Sequence, residues 1–214
     1  MNKSSVIYDE VEHTYHLNGK QLQGITGTLI PHAIGKIYAD VPEHILAEKA
    51  KYGKLVHSEI EMYLNGFEPS EPTDEFLAFK KWQSLTKIEF VESEFIVSDN
   101  ENFATPIDGI DNEFNIYDWK TTYFLDKEYL SWQLSICAYF SEIIGNEVNK
   151  LYAVHLIGSE CTLHEIERKP NEEVKRLIKC YLNNEPYIST LVLTNDEALQ
   201  TIYDAELMLI EIEN

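Results

Sequence analysis

Asp108, Asp118 and Lys120 are the residues whose types and spacing could do chemistry. Asp108 lies in Ile107-Asp108-Gly109-Ile110-Asp111. The other two lie in Ile116-Tyr117-Asp118-Trp119-Lys120, beyond a short polar turn at Asn112-Glu113. On a strand successive side chains alternate faces, so Asp118 and Lys120 point the same way. A hairpin brings Asp108 or Asp111 opposite that pair, and a one-residue choice of register decides which. Two carboxylates and a lysine on one face are costly to build without a purpose. A divalent metal with a phosphate ester supplies one. The carboxylates hold the cation, and the lysine orients or polarises the attacking water or the phosphate.

Two further groups have spacing that matters. His57 and Glu61, in Tyr52-Gly53-Lys54-Leu55-Val56-His57-Ser58-Glu59-Ile60-Glu61, stand four apart on a helical pattern and share a face. Imidazole and carboxylate can both reach a metal from there, or they form a surface ion pair. Gln133, in Trp132-Gln133-Leu134, sits early in a helix that follows Lys120. It can hydrogen-bond a phosphate, orient a carboxylate, or simply face solvent.

The elements that must position these residues are legible from periodicity. Residues 6–23 read as a β-hairpin around Asn18-Gly19. Ile25–Ile30 is a short link ended by Pro31. From Pro42 to about Leu64 the pattern is helical, with Pro42 suited to the first turn and Tyr52-Gly53 a possible break. Thr73-Asp74-Glu75 opens a helix through Leu85. Three strand-like runs follow, at Ile88–Val97, Phe103–Asp111 and Phe114–Thr121. A helix spans Lys127–Ile144 and stops at Gly145-Asn146. Leu151–Ile157 reads as a buried strand with Cys161–Ile166 as its hairpin partner. Glu172–Leu182 and Glu197–Ile210 are helical. The order predicts an α/β domain with a central mixed sheet flanked by helices. With no repeats and no linker, residues 1–214 form a single domain in this reading: a hairpin at 6–23, a core at 43–157 and C-terminal helices at 171–211.

The chain has 214 residues, is 44% hydrophobic and 12% aromatic, and so reads as globular. No apolar run reaches the roughly 18–20 residues that span a bilayer. The first residues, Met1-Asn2-Lys3-Ser4-Ser5, lack the apolar core of a signal peptide. Cys137, Cys161 and Cys180 show no metal-ligand spacing and read as reduced thiols, which places the chain in a cytoplasm. The charge opposes a polyanion substrate. Lys and Arg total 17 against 37 Asp and Glu, a net of -20, and the only arginines are Arg168 and Arg176. A protein that grips nucleic acid usually carries a basic footprint. Screening confines fields to about 10 Å, so a local groove is compatible with this balance. Lys49, Lys51, Lys54, Lys80, Lys81, Lys120 and Lys127 are the lysines available to form one.

In order along the chain stand Gly53-x-x-Val56-His57 on a helix, Asp108, Asp118-Trp119-Lys120, and Gln133 on a second helix. This order resembles the PD-(D/E)xK nuclease superfamily over residues 43 to 157. The likeness is greatest to the branch with the RecB nuclease domain, the Cas4 nucleases and phage exonucleases. The hairpin Tyr8-Asp9-Glu10-x-x-His13-x-Tyr15 also resembles the lead-in of phage members. The resemblance implies a restriction-endonuclease-like core and a metal-dependent deoxyribonuclease using Mg2+ or Mn2+. Its metal ligands would be His57, Asp108, Asp118 and the carbonyl of Trp119, with Lys120 catalytic. Glu61 would assist through water, and Gln133 would match the first residue of the family's Gln-x-x-x-Tyr signature. Asp108 is favoured over Asp111 by Ala104-Thr105-Pro106-Ile107, which resembles the family's lead-in to its aspartate. Glu94 sits where phage members carry a strand glutamate, and either faces the site or caps a sheet edge.

The phage likeness implies an exonuclease in recombination, in a bacterium or a phage-infected cell. Its partners would be DNA, a single-strand annealing protein and further copies of itself, with no membrane. Three departures stand against this: Cys137 where the signature has tyrosine, a short gap between Asp108 and Asp118, and the acidic charge. Tyr139 lies about 240° around the helix from Gln133 and does not replace that tyrosine. The other class of function is an inactive acidic relative that binds a basic partner or imitates DNA.

Overall fold

The computed structural model describes residues 1–9, 12–36 and 41–189. Three strands come first: β1 (Ile7–Asp9), β2 (Thr14–Leu17) and β3 (Lys20–Gly24). Asn18 and Gly19 adopt φ of 51° and 80°, the positive values a tight two-residue turn requires, and they join β2 to β3. The hairpin expected at 6–23 is therefore a three-stranded meander, and β3 continues it into the main sheet.

The link expected to end at Pro31 is instead the short helix α1 (Leu29–Ile34). Pro31 lies in its first turn, where a backbone N–H has no helical partner to lose. Helix α2 (Glu43–Leu64) runs unbroken through Gly53. A Cβ there would meet Thr121 Oγ1 at 3.3 Å, so the glycine serves a close approach rather than a break. Helix α3 (Asp74–Thr86) is capped by Thr73, whose side chain accepts the Phe76 N–H.

The rest of the order is β4 (Phe90–Ser98), β5 (Phe103–Asp111), β6 (Ile116–Lys120), α4 (Lys127–Ile143), β7 (Leu151–Ile157), β8 (Glu160–Glu165) and α5 (Asn171–Asn183). The helix expected at 197–210 lies outside the described residues. Among those residues no helix is long and apolar enough to cross a membrane.

The strands form one mixed sheet in the order β1-β2-β3-β5-β6-β7-β8, with β4 also paired to β5. Helix α4 is the crossover between parallel β6 and β7. Helices α1, α4 and α5 cover one face through Leu29, Trp132, Phe140 and Leu177, over Ile110 and Ile116. Helices α2 and α3 cover the other through Val56, Ile60, Phe76 and Phe79, against Tyr117, Trp119 and Val154. This is the layered α/β architecture the element order predicts.

One irregularity positions the site. Strands β3 and β6 pair with β5 at its two ends, at Phe103–Ala104 and Gly109–Ile110, which leaves a fork between them. Within that stretch the alternation of β5 slips. Ile107 and Ile110 both sit in the core under α4, whereas Gly109 faces Trp119 on the opposite side. Strand β4 carries a matching distortion, with Glu94 at φ 48° directly across from this point.

Candidate active site

Asp118 and Lys120 project from β6 toward α4, as strand alternation requires. Lys120 Nζ stands 2.7 Å from Asp118 Oδ2. Gln133, on the first half of α4, donates to Asp118 Oδ1 at 2.7 Å and accepts from Lys120 Nζ at 3.2 Å. The three side chains thus close a ring in which each fixes the other two. Asp118 is almost wholly buried, and its Oδ2 has no well-aligned hydrogen bond, only the ammonium charge beside it. Burial pushes its carboxyl up to about 6 despite the pull of Lys120, with Asp108 adding to the rise. Burial opposes the Lys120 charge, but Asp118 and Asp108 outweigh it and hold the ammonium above its ordinary value.

Asp108 sits in the fork. Its Oδ2 accepts the backbone N–H of Trp119 at 2.8 Å and lies 3.5 Å from His57 Nδ1. His57 Nε2 is 2.8 Å from the Trp119 carbonyl, and a carbonyl only accepts, so this nitrogen carries the hydrogen. One residue of β6 therefore ties both groups down, Asp108 through its N–H and His57 through its C=O.

Glu94 completes the group. One ligand atom each from His57, Glu94 and Asp108 lies within 4.8 Å of the others. Burial, and then the charges of Asp108, Glu61 and Asp118, push the Glu94 carboxyl up to about 8. Of the two readings of Glu94, facing the site or capping an edge, the structure has the first. Glu61 stands one turn after His57 on α2 and acts on Glu94 through its charge. Asp111, the rival first carboxylate, is occupied elsewhere. It accepts the N–H groups of Glu113 and Asn115, both at 2.9 Å, and bonds from Asn115 Nδ2 and the Tyr117 hydroxyl at 2.8 Å. It caps the turn that makes the short gap possible.

Cys137 lies buried one turn after Gln133, its Sγ 4.0 Å from the Pro106 carbonyl. Burial, and then the charges of Asp118 and Asp108, push its thiol far up, so it is an inert neighbour. Tyr139 packs against the core under Lys175 Nζ, away from this group. Tyr15 on β2, singled out in the sequence only as part of the phage-like lead-in, has a neighbourhood that the sequence did not show. Its phenol is raised by burial first, and then by Tyr8, Glu94 and Cys137, which places it beside the site from a different part of the chain.

The basic residues are largely committed to structure. Arg168 pairs with Glu142 and Arg176 with Glu173. Lys80 pairs with Glu68. Lys49, Lys51 and Lys54 are exposed along α2 and Lys127 at the start of α4.

The donor set suits a hard divalent cation. It offers two carboxylates and one imidazole within 4.8 Å, with a backbone carbonyl 2.8 Å from that imidazole. Burial first, and then repulsion between the carboxylates, raises Glu94 and Asp118, and a cation would favour the ionised form of both.

No family model matches the sequence, and no curated protein does. Among solved structures, the crystal structure of SSO0001 is similar at a TM-score of 0.47 and 16% identity, over 80% of this chain and 80% of that one. An alkaline exonuclease (LHK-Exo) from Laribacter hongkongensis is similar at a TM-score of 0.43 and 10% identity, over 76% of this chain and 87% of that one.

Proposed function

We propose that the chain is a metal-dependent deoxyribonuclease of PD-(D/E)xK type, acting as an exonuclease. The observation that carries the reading is the junction of two groups at one fork in the sheet. The Asp118–Lys120–Gln133 ring lies on one side and the His57–Glu94–Asp108 cluster on the other, bridged by the backbone of Trp119.

His57, Asp108, Glu94, Asp118 and the Trp119 carbonyl would hold Mg2+ or Mn2+, and the imidazole inclines the choice to Mn2+. A bound cation supplies Lewis acidity and a water acidic enough to attack phosphorus. Lys120 carries the protein's own share of the chemistry. Its ammonium, half-buried and held by Asp118 and Gln133, places a fixed positive charge where the phosphorane gathers negative charge. It also orients the attacking water. Gln133 bonds to both members of the Asp118–Lys120 pair and so fixes the orientation of each. Water adds to phosphorus, one ester bond breaks, and a phosphomonoester and a hydroxyl result. Preference for a DNA end, a role in phage recombination, an annealing-protein partner and a ring of copies rest on the family resemblance.

The net charge of -20 favours one other reading, an inactive acidic relative that binds a basic partner. Cleavage decides between them. End-labelled linear and closed circular DNA are incubated with Mn2+, Mg2+ or EDTA, beside Lys120→Ala. Metal-dependent loss of linear DNA alone, abolished in Lys120→Ala while Mn2+ still binds, is the expected result. Nicked circles mean an endonuclease. Intact DNA throughout, with folded protein, means the acidic binding protein.

A further inference from the structure

We infer that Tyr123 and Phe124, on the loop between β6 and α4, form a stacking platform for unpaired bases of the strand that enters the site. This rests on the nuclease reading and names the form of DNA that the site takes.

Tyr123 and Phe124 are 92% and 77% exposed, the highest values among the large apolar side chains of the described residues. They follow Lys120 by three and four residues, so the chain keeps Tyr123 within roughly 10 Å of it. Their backbone is fastened from several sides. His155 Nε2 holds the Thr122 carbonyl at 2.6 Å, and the Thr122 hydroxyl donates to the Phe124 carbonyl at 2.9 Å. Thr121 lies against Gly53 of α2, Leu125 packs on the core, and Asp126 caps α4. A loop held this firmly that still points two aromatic rings at solvent presents them at little further entropic cost. Adjacent exposed aromatic side chains form a contiguous apolar patch, and such patches mark binding surfaces.

Charge selects the occupant. With 17 basic residues against 37 acidic ones, and both arginines paired to glutamates, attraction to phosphates is weak. Stacking on an aromatic ring needs no opposite charge and tolerates any base. A base inside a duplex is already stacked on its neighbours and offers no free face. The platform therefore takes an unpaired end. Lys49, one turn before Gly53 on the stripe of α2 that leads to His57, is exposed and placed to meet a phosphate of the same strand.

The test uses the full chain carrying Lys120→Ala, which separates binding from cleavage, with Mn2+ present. A single strand bearing 2-aminopurine near its end is titrated beside a blunt duplex. The expected result is quenching of 2-aminopurine and tighter binding of the single strand. Adding Tyr123→Ala and Phe124→Ala removes the quenching and weakens binding about tenfold, while Tyr123→Trp preserves both. Unchanged quenching and affinity in the double substitution overturn the platform. So does equal preference for blunt duplex, or a dimer that the substitutions split into monomers. If the otherwise unaltered chain cleaves DNA and the doubly substituted chain cleaves tailed and blunt ends as it does, the platform alone fails. If the unaltered chain cleaves nothing, the nuclease reading fails.

Discussion

Asp108 accepts the backbone N–H of Trp119 at 2.8 Å, where an unbroken sheet would offer a carbonyl of β5. The carboxylate therefore stands in for a ladder partner and holds the two strands apart at the point where the site opens. A charged acceptor makes this bond roughly twice as strong as a neutral one. The same residue faces His57 at 3.5 Å, so fold and site share a single side chain.

The two jobs of Asp108 separate on substitution. Asp108→Asn keeps an oxygen for the Trp119 N–H but loses the charge. It should fold with near-normal stability, within about 1 kcal/mol, and lose Mn2+ affinity and cleavage. Asp108→Ala leaves the buried N–H unpaired and should also lose about 1–3 kcal/mol of stability. Urea midpoints and Mn2+ titrations of both variants check this. Equal stability in the two would mean that the bond to Trp119 contributes nothing.

Gly109 is required by the Trp119 indole. A Cβ at Gly109 would meet Trp119 Cζ2 at 2.6 Å and Cη2 at 2.7 Å, with Phe90 Cδ1 at 3.2 Å. Gly109→Ala should therefore destabilise by about 1–3 kcal/mol, as overpacked cores do. Because the Trp119 backbone links Asp108 and His57, the displaced ring should also lower cleavage more than the stability loss explains. Thermal midpoints and rates measured well below the transition separate the two effects. Wild-type rates in a destabilised Gly109→Ala would show that the site does not follow the indole.

Much of this arrangement follows from alternation and caps. The bounds of α4 come from Asp126 ahead of it and Gly145 behind it, and Asp118 and Lys120 share a face because they are two apart on a strand. What periodicity cannot show is a slip in it. The place of Asp108 depends on β5 rotating between Ile107 and Ile110, and that of Glu94 on a positive φ that a glutamate rarely adopts. Both follow from β3 and β6 competing for one edge of β5, a contact between distant parts of the chain. The same holds for Gly53, which looked like a helix break and is a contact surface for Thr121.

Clustered carboxyls should also make stability depend on pH. Burial first, and then Asp108, Glu61 and Asp118, raise the Glu94 carboxyl from 4.5 to about 8. The folded protein then keeps a proton that the unfolded chain releases near its ordinary value. Between these two pH values the folded state binds more protons, so stability is full in mild acid and falls as pH rises toward 8. Asp118, raised from 3.8 to about 6, adds a smaller fall at lower pH. In EDTA the thermal midpoint should drop by several degrees from pH 5 to pH 8.5, and Glu94→Gln should flatten much of that drop. Mn2+ at pH 8.5 should raise the midpoint of the unaltered chain, because the cation favours the ionised carboxylates. Melting curves over pH 5 to 9, with EDTA and with Mn2+, test all three statements. A midpoint that rises with pH in EDTA would place the strained charge outside this cluster.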